Sequence, residues 1–414
     1  MGTLKSPPPW EYKAMLARKD THPKRPTIID RLLARWVRKR LATVDIAFNG
    51  EGSCVMRVPD ITVLRRVVTG DSLDLLEGYQ RGDWDCDDLV EFCARIRRMR
   101  PTPFMVLAAT PTYLKNKLVN LQTRVRAKRA ISRHYDMGND FYKRMLDPEY
   151  LQYSCAYFER GATTLAEAQL AKLRLLCRKL QLKRGMRVLD IGCGWGGLAK
   201  FMAKEYGVTV VGITLSEEQA VEARERCKGL AVEIHVMDYR DAPNELGQFD
   251  RIVSVGMFEH VGEKNHRSFF RAAYACLKDG GLFVLHTIVG TGRPDRWIQK
   301  YIFPDGVLPK YSQLRTAFKG FFFDWDVHEF GQSYAKTLLC WRDNFKAAWQ
   351  EIKNDPPFIP YGPSRGTSEY AEWFFRTWVC YSSACSGSFK GGHIRLKQLV
   401  LAKRPRPQRY EPVR

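Results

Sequence analysis

Four closely spaced glycines form the part of the chain best suited to hold a small molecule. They are Gly192, Gly194, Gly196 and Gly197, and they follow a short apolar run that contains Asp190. Glycine permits a positive φ angle and lets a ligand approach the main chain closely. The residues that follow have helical spacing, so the pattern predicts a buried strand, a tight turn and a helix N-terminus. Such a turn is the usual place for a nucleotide-like ligand at an open α/β sheet.

The spacing of these glycines favours one class of nucleotide over the others. The chain reads Asp-x-Gly-x-Gly-x-Gly, which lacks the Gly-x-Gly-x-x-Gly spacing of pyrophosphate binders, and no Gly-Lys-Ser or Gly-Lys-Thr follows. A dinucleotide or a nucleoside triphosphate is therefore disfavoured. A cofactor that has a cationic centre and no phosphate fits better, and we expect S-adenosylmethionine.

Polar residues also follow the other strands expected after the glycine turn. Residues 214–219 end the second strand, where a ribose-binding group belongs, although Ser216 and Gln219 in that segment could also form a helix-capping box. Glu259 follows a later strand, and His286 lies near the end of the strand after that. Either residue alone is more typical of a surface or structural position. Together, at adjacent strand ends beside the turn, they indicate a reaction centre.

The elements that would position these residues alternate along the chain. Strands are predicted at 187–192, 208–214, 232–238, 249–256, 281–288 and 394–402, and helices at 165–180, 196–206, 216–228, 265–278 and 369–381. Alternation of this kind implies right-handed crossovers and a mostly parallel sheet covered on both faces. The predicted fold class is α/β, a doubly wound Rossmann-like sheet of the class I methyltransferase type with a smaller N-terminal α/β domain.

Composition and pattern divide the chain into four predicted parts. They are a mobile proline-rich segment (1–26), an N-terminal domain (27–125), a catalytic domain (126–404) and a basic tail (405–414). Within the N-terminal domain we predict helices at 28–41, 73–78 and 87–99, a hairpin at 44–58 around Asn49-Gly50 and a strand at 63–68. Residues 118–131 suit a basic helix, which is either a solvated surface or a contact with phosphate head groups. Residues 352–369 form a long proline-rich loop.

An excess of basic residues indicates an anionic partner. The net charge is +22, and residues 1–135 hold 26 Lys and Arg against 14 Asp and Glu. Nucleic acid and an anionic lipid surface are both candidates, although no recognised nucleic-acid motif is present. No apolar run approaches the ~20 residues that a membrane span needs. The 11 cysteines show no Cys-x-x-Cys, which favours a reducing compartment without a disulfide or metal framework.

A series of motifs resembles the cyclopropane-fatty-acyl-phospholipid synthase family from about residue 130 to 402. The motifs are His134-Tyr-Asp-x-Gly-Asn-Asp140, Gln152-Tyr-Ser-Cys155, the 189–197 turn, Phe258-Glu-His-Val-Gly262, His286-Thr-Ile288, Tyr301-Ile-Phe-Pro304 and Ala384-Cys385. Members of this family transfer a methylene group, derived from the methyl of S-adenosylmethionine, to the cis double bond of a phospholipid acyl chain. The resemblance implies a cytoplasmic enzyme, peripheral at the inner face of the membrane, whose partner is a bilayer with unsaturated acyl chains. We expect the N-terminal domain to dock on the membrane and to contact a second copy in a homodimer, and we expect no nucleic-acid partner.

The resemblance also assigns the site residues. It implies bicarbonate as the general base, held by Cys155, Glu259, His286, Ile288 and Tyr334. Cys385 matches the family's active-site cysteine, and we expect it to position or line the pocket, although a small buried hydrophobe is nearly as good an interpretation. The expected cofactor contacts are Tyr153, Ser154, Asp190, Gly192, Gly194, Trp195, Gly196, Thr214, Leu215, Ser216, Gln219, Tyr239 and Arg240. No metal site is expected.

The chemistry of such a reaction explains these residue types. An alkene is a weak nucleophile, so the sulfonium must be held in line with it. The carbocation that forms must be kept from water, and a base must remove a proton as the ring closes. Aromatic residues could line an acyl tunnel, although core packing explains each one singly: Phe258, Trp297, Tyr301, Phe303, Trp341, Trp378 and Phe389. A lipid C-methyltransferase that leaves a methyl branch or acts on a sphingolipid, and a nonenzymatic nucleic-acid binder, are the alternatives.

Overall fold

Two sheets and the helices around them make up the described residues, which are 25–67, 72–127, 137–159, 161–404 and 410–414 of a computed structural model. The strands are β1 (Ala47–Phe48), β2 (Val55–Arg57), β3 (Asp85–Cys86), β4 (Arg187–Ile191), β5 (Thr209–Thr214), β6 (Val232–Val236), β7 (Phe249–Val255), β8 (Leu277–Val289), β9 (Phe323–Glu329) and β10 (Arg395–Ala402). The helices are α1 (Ile28–Ala42), α2 (Leu64–Val67), α3 (Ser72–Gln80), α4 (Leu89–Ile96), α5 (Pro103–Leu118), α6 (Asn139–Met145), α7 (Leu165–Lys179), α8 (Gly197–Tyr206), α9 (Glu217–Arg226), α10 (Ala242–Glu245), α11 (His266–Cys276), α12 (Arg296–Tyr301), α13 (Tyr311–Phe318), α14 (Gly331–Ala347), α15 (Trp349–Ile352) and α16 (Ser368–Lys390).

The larger sheet has seven strands in the order β6-β5-β4-β7-β8-β10-β9. Its strands run parallel except β10, which lies antiparallel between β8 and β9. The predicted α/β class, the strands and the helices that alternate with them are confirmed, with bounds shifted by a few residues. The helix predicted at 369–381 is longer, because α16 continues to Lys390.

Helices cover both faces of this sheet, which explains the continuous apolar runs of its central strands. Leu189 and Leu285 pack in the core on one face, whereas Val188 and Val284 pack on the other face with residues of α7. Successive side chains on a strand point to opposite faces. His286, two residues after Val284, therefore lies on the face that α7 covers.

The structure of the N-terminal region contradicts two predictions, one for a hairpin and one for a strand. Strands β1 and β2 pair in parallel, with Ala47 opposite Val55, so the predicted hairpin is wrong. The Asn49 side chain bonds to both main-chain groups of Val58, at 2.8 and 2.7 Å, which ties down the loop that returns the chain before β2. Residues 63–67 are helical where a strand was predicted, because Asp60 caps the turn by accepting the N–H of Thr62.

The N-terminal part packs closely on α16, the helix that carries Cys385. The Arg376 guanidinium is buried over the Tyr79 ring at 4.0 Å and pairs with Asp85 at 3.1 Å. A Cβ atom at Gly387 would overlap the Val90 carbonyl of α4, so the two helices meet backbone to backbone. One apolar core therefore extends from β1 to α16, and the domain boundary at 125/126 stays a prediction.

Some predictions fall outside the described residues. These are most of the mobile segment 1–26, the first three residues of the motif at 134–140, and residues 405–409 of the tail. Of the helix predicted at 118–131, residues 124–127 are helical and 128–131 are not described. No helix in the described ranges combines the length and apolar character needed to cross a membrane.

Candidate active site

A cavity opens at the carboxyl ends of β4, β5 and β7, as the strand topology requires. It encloses about 920 Å³, its opening to solvent included. Ten of the thirteen predicted cofactor residues line it: Tyr153, Ser154, Asp190, Gly192, Gly194, Trp195, Thr214, Leu215, Gln219 and Tyr239. Met237, Met257 and His260 also line it and were not predicted as cofactor contacts, although His260 lies within the motif at 258–262.

The other three predicted cofactor residues lie outside the cavity wall. Gly196 shapes the turn with a φ of 77°. Ser216 caps α9 by accepting the N–H of Gln219 at 3.2 Å, while the Gln219 side chain accepts from Thr214 Oγ1 at 3.0 Å. In a full capping box the Gln219 side chain would accept the N–H of Ser216. Its bond from Thr214 takes the place of that contact and holds Gln219 at the cavity. Arg240 is directed away, with Nη2 donating to the Gln122 carbonyl at 3.1 Å.

The glycine turn leaves no room for side chains at two positions. Gly192 has a φ of 87°, and a Cβ there would lie 2.7 Å from the Met257 side chain. Gly197 begins α8, and a Cβ there would overlap the main-chain carbonyl of Tyr150. The turn can therefore approach the 150–154 segment closely, and the cavity forms between them.

Lys172 is a buried lysine next to the cavity wall, and it was not predicted as a site residue. Lys172 Nζ donates to Gln152 Oε1 and, at 3.0 Å, to Ser154 Oγ, and both partners line the cavity. Burial lowers the pKa of Lys172 to about 8. Burial also raises the pKa of Asp190, on the cavity wall, to about 7, although the nearby Lys172 opposes that rise. The available signal was a lysine on the apolar stripe of α7, three residues after Gln169 and one before Leu173.

We expect Lys172→Met to weaken cofactor binding severalfold without lowering thermal stability at pH 7. The pKa is lowered from 10.5 to about 8. The buried charge therefore reduces the free energy of unfolding below pH 8, and this destabilisation disappears above pH 10.5. Its size is on the order of 1–3 kcal/mol, and methionine removes it. The same change leaves Gln152 and Ser154 without their donor, which loosens the cavity wall.

Titration calorimetry with S-adenosylmethionine and melting curves at pH 7 and pH 10 would test this expectation. The gain in stability over the wild type should shrink at the higher pH. Lys204→Met, at an exposed position on α8, is the matched control. Unchanged affinity together with a lower melting temperature at pH 7 would contradict a role for Lys172 in shaping the cavity.

The predicted anion-holding residues form a second group, next to the cavity rather than in its wall. Glu259 Oε1 accepts the N–H of Ile288 on β8 at 2.7 Å. The neighbouring strand β7 has ended at this level, so the carboxyl group satisfies a main-chain N–H that β7 does not reach. Its Oε2 atom is buried and has no hydrogen-bond partner among the described residues. Burial raises the pKa of Glu259 to about 7, so near neutral pH the carboxyl group is available in a protonated form.

His286 presents a single free nitrogen in the same region. Gln398 Nε2 lies 3.0 Å from His286 Nδ1, whereas His286 Nε2 is buried and unpartnered within the described part of the chain. Burial, and the positive charges of Lys172 and Lys179, lower the pKa of His286 well below its usual value. The imidazole is therefore neutral at physiological pH.

Tyr334, Cys155 and Cys385 complete this group. Burial raises the pKa of Tyr334, and the negative charges that Cys155, Glu259, Tyr153 and Cys385 would carry raise it further, so each of these groups lies within electrostatic range of the Tyr334 hydroxyl. Burial raises the pKa of Cys385 to about 12 and also raises that of Cys155. Both thiols therefore stay protonated at neutral pH, which fits a positioning role better than nucleophilic attack.

Aromatic rings connect the two groups. Tyr153, on the cavity wall, donates to the Tyr381 hydroxyl at 3.0 Å and lies 4.9 Å from the Trp341 ring. Phe303 packs on both tyrosines, and Tyr334 stacks on Phe389. Tyr381 was not predicted, although it lies one helical turn before Cys385. Trp378 also reaches this group, because it packs edge to face on Tyr381 at 5.4 Å. The other predicted aromatics, Phe258, Trp297 and Tyr301, pack elsewhere: Phe258 against Phe269, and Tyr301 against Trp297 and Trp373.

An anion bound at these groups would need hydrogen-bond donors. The available donors are the Nε2–H of neutral His286 and the carboxyl group of Glu259 in its protonated form. Bicarbonate could also donate its own hydroxyl to the ionised carboxylate. No group of His, Cys, Asp or Glu side chains suited to a metal ion occurs in the ranges that the structure describes.

Comparison with known proteins identifies close relatives. The profile of the mycolic acid cyclopropane synthetase family matches residues 122–399. Cyclopropane-fatty-acyl-phospholipid synthase of Escherichia coli (strain K12) is 44% identical over 374 residues, covering 88% of this chain and 91% of the relative. A probable fatty acid methyltransferase of Pseudomonas putida is 39% identical over 287 residues, covering 66% of this chain and 69% of the relative. Among solved structures, mycolic acid cyclopropane synthase CmaA1, complexed with SAH and CTAB, aligns with a TM-score of 0.58 and 31% identity, covering 66% of this chain and 97% of that one.

Proposed function

The chain belongs to the mycolic acid cyclopropane synthetase family and is an S-adenosylmethionine-dependent enzyme; from that premise we propose that it forms cyclopropane rings on unsaturated acyl chains of membrane phospholipids. The relative from E. coli, whose name specifies a fatty-acyl-phospholipid product, supports this substrate class. The observation that carries the proposal is the pair of unpartnered atoms, Glu259 Oε2 and His286 Nε2, buried within the described residues beside the cofactor cavity.

The residues divide the work between binding and proton transfer. Bound S-adenosylmethionine supplies an electrophilic methyl group, and bound bicarbonate supplies the proton acceptor. Gly192, Thr214 and Gln219 hold and orient the cofactor at the strand ends, and Tyr153 forms the wall between the cofactor and the aromatic residues. His286 donates from Nε2 and Glu259 offers its free oxygen, so that the proton acceptor is held where the acyl chain reacts.

The acyl chain itself undergoes a balanced exchange of bonds. A new bond forms between the methyl carbon and one alkene carbon while the bond to sulfur breaks, and positive charge appears on the other alkene carbon. Loss of a proton from the new methyl group provides the electron pair that closes the ring. The rings of Trp341, Phe303 and Tyr381 exclude water and face the positive charge with their π systems.

Mass spectrometry of lipids from an expressing cell tests this proposal. Acyl chains should gain one CH₂ unit and lose their double bond without a branch point. A methyl-branched product would instead favour a lipid C-methyltransferase, the second candidate, which the Pseudomonas putida relative supports. Unchanged lipids in cells that contain the folded protein would contradict both candidates.

Helix α1 carries a surface suited to an anionic bilayer. At about 100° per residue, Ile28, Ile29, Leu32 and Trp36 fall on one exposed sector, with Ile28 76% and Leu32 60% exposed. The adjacent sector is basic and exposed and holds Arg31, Arg35 and Arg38, while the exposed Lys39 falls within the apolar sector, one turn from Trp36. The third sector, with Val37 and Leu41, packs in the core. Apolar side chains flanked by positive charge are typical of a helix lying at a membrane interface.

Helix α5 supports the same proposal. Leu107, Leu114 and Leu118 are exposed and fall within about 40° of one another around the helix. Exposed apolar stripes of this kind on two helices mark an interaction surface rather than scattered surface residues. We therefore propose that this region docks the enzyme on the membrane. Its predicted contact with a second copy in a homodimer is a further proposal, which sedimentation would test.

The double substitution Leu32→Glu with Trp36→Glu should weaken binding to anionic phospholipid vesicles by roughly tenfold or more, because two apolar side chains are lost from the bilayer contact. Cofactor affinity should not change, since α1 contributes no residue to the cavity wall. Val221→Glu, at a valine 65% exposed on α9, is the matched control.

Vesicle flotation at low and high salt would measure this effect. The wild type should bind less at high salt and should not bind duplex DNA. Vesicle binding by the double variant at the wild-type level would overturn the proposed docking surface, whereas duplex binding would revive the nucleic-acid alternative.

A further inference from the structure

We propose that Gln398 is a positioning residue that fixes the tautomer of His286, so that its Nε2 atom always carries the proton offered to the bound anion. This inference rests on the proposed function in one respect, the identity of that anion. Gln398 lies in the middle of the sheet rather than in the cavity.

Gln398 lies at the centre of β10, between two histidines. It is directly opposite His286 on β8 and His328 on β9. Its side chain is 0% exposed, and the residues after it, Leu399 and Val400, are apolar. A buried glutamine at this position is costly, because within the described part of the chain its Oε1 atom also has no partner. Packing alone would favour an apolar side chain here.

Within the described residues the Gln398 side chain makes one hydrogen bond. That bond determines the tautomer of His286. Gln398 directs its amide nitrogen at Nδ1 of His286, 3.0 Å away, and in this orientation of the amide the nitrogen donates, so Nδ1 accepts and carries no proton. In a neutral imidazole the proton then resides on Nε2. This is the nitrogen that stays free in the described structure and lies on the α7 face of the sheet.

Burial, and then the charges around it, lower the pKa of His286 and keep the ring neutral, so that the choice of tautomer matters. Lys172 and Lys179 lie on α7, and His328 lies on β9, and each opposes a positive charge on the ring. A doubly protonated ring would donate from Nε2 without any help from Gln398. The neutral ring can instead present either a donor or an acceptor, and only the donor form suits an anion.

The substitution Gln398→Leu tests this role, because leucine keeps most of the volume and removes the donor. Two measurements are informative. In the free protein with ¹⁵N-labelled histidine, wild-type His286 should show one neutral tautomer with the proton on Nε2, and the variant should show a mixture; His286→Asn assigns the signals. In turnover assays, KM for bicarbonate should rise roughly two- to tenfold in the variant, while KM for S-adenosylmethionine should not change.

Leu399→Ala is the control for a merely structural effect. Leu399 is also fully buried on β10 but packs on the opposite face of the sheet, so its loss should lower stability without altering the tautomer. A single Nε2–H tautomer that persists in Gln398→Leu would overturn the inference, whatever the anion is. If the wild type shows no dependence on bicarbonate, the proposed base fails, and the tautomer measurement still decides the role of Gln398.

Discussion

Glu259→Ala and His286→Ala should each lower the rate of ring formation by roughly 10²–10⁴-fold, the range expected for loss of positioned proton transfer. Each substitution removes one of the two unpartnered atoms that would hold the proton acceptor. Neither side chain lines the cofactor cavity, so affinity for S-adenosylmethionine should stay within about twofold. The rate should fall while the binding isotherm does not change.

Glu263→Ala provides the matched control for this prediction. Glu263 lies four residues further on in the same connection but is exposed. Single-turnover assays on phosphatidylethanolamine vesicles with cis-unsaturated chains, together with calorimetric titration of the cofactor, would separate chemistry from binding. Full activity in either the Glu259 or the His286 variant would defeat the assignment of the anion site.

The second large effect is expected for Gly197→Ala, a change that is usually mild. Alanine at the first position of a helix normally costs nothing and often stabilises. At this position, however, the added methyl group would overlap the Tyr150 carbonyl, which is main chain and cannot rotate away. The 150–154 segment must move, and Tyr153 and Ser154 move with it. We expect at least a tenfold loss of cofactor affinity and a loss of stability of about 1–3 kcal/mol.

Gly331→Ala is a suitable comparison, because Gly331 also begins a helix, and there a Cβ would lie 3.4 Å from its nearest neighbour. Thermal melting and cofactor titration of both variants would reveal the difference. Equal behaviour of the two variants would mean that the glycine turn and the 150–154 segment are not in the close contact described here.

The sequence predicted the fold well where the signal is local. Strands β4, β5, β7 and β8 are apolar runs that end at glycine or polar residues, and this pattern is visible without knowledge of their neighbours. The position of the cofactor cavity followed from topology, since carboxyl ends of parallel strands converge at one edge of the sheet. Residues attached directly to those strand ends, such as Asp190 and Thr214, were therefore predicted, and they line the cavity.

The residues that were not predicted matter because they are buried against particular groups. A single sequence does not show which side chains are buried. Lys172 looks like one of many lysines on a helix, and Gln398 looks like one polar residue in a strand. Each becomes notable only when the structure shows which group it faces. The hairpin prediction failed for a related reason, because the turn signal at Asn49-Gly50 was outweighed by the bonds from Asn49 to Val58.

The backbone contact between α4 and α16 has a consequence for the engineering of chimeras. Because Gly387 lies directly against the Val90 carbonyl, any larger residue at 387 requires α4 to shift. The buried Arg376 likewise donates to the carbonyl groups of Tyr79 and Trp84 in the N-terminal part. An N-terminal segment transplanted from a relative should therefore assemble with this catalytic part only if the facing surface of α16 is exchanged at the same time.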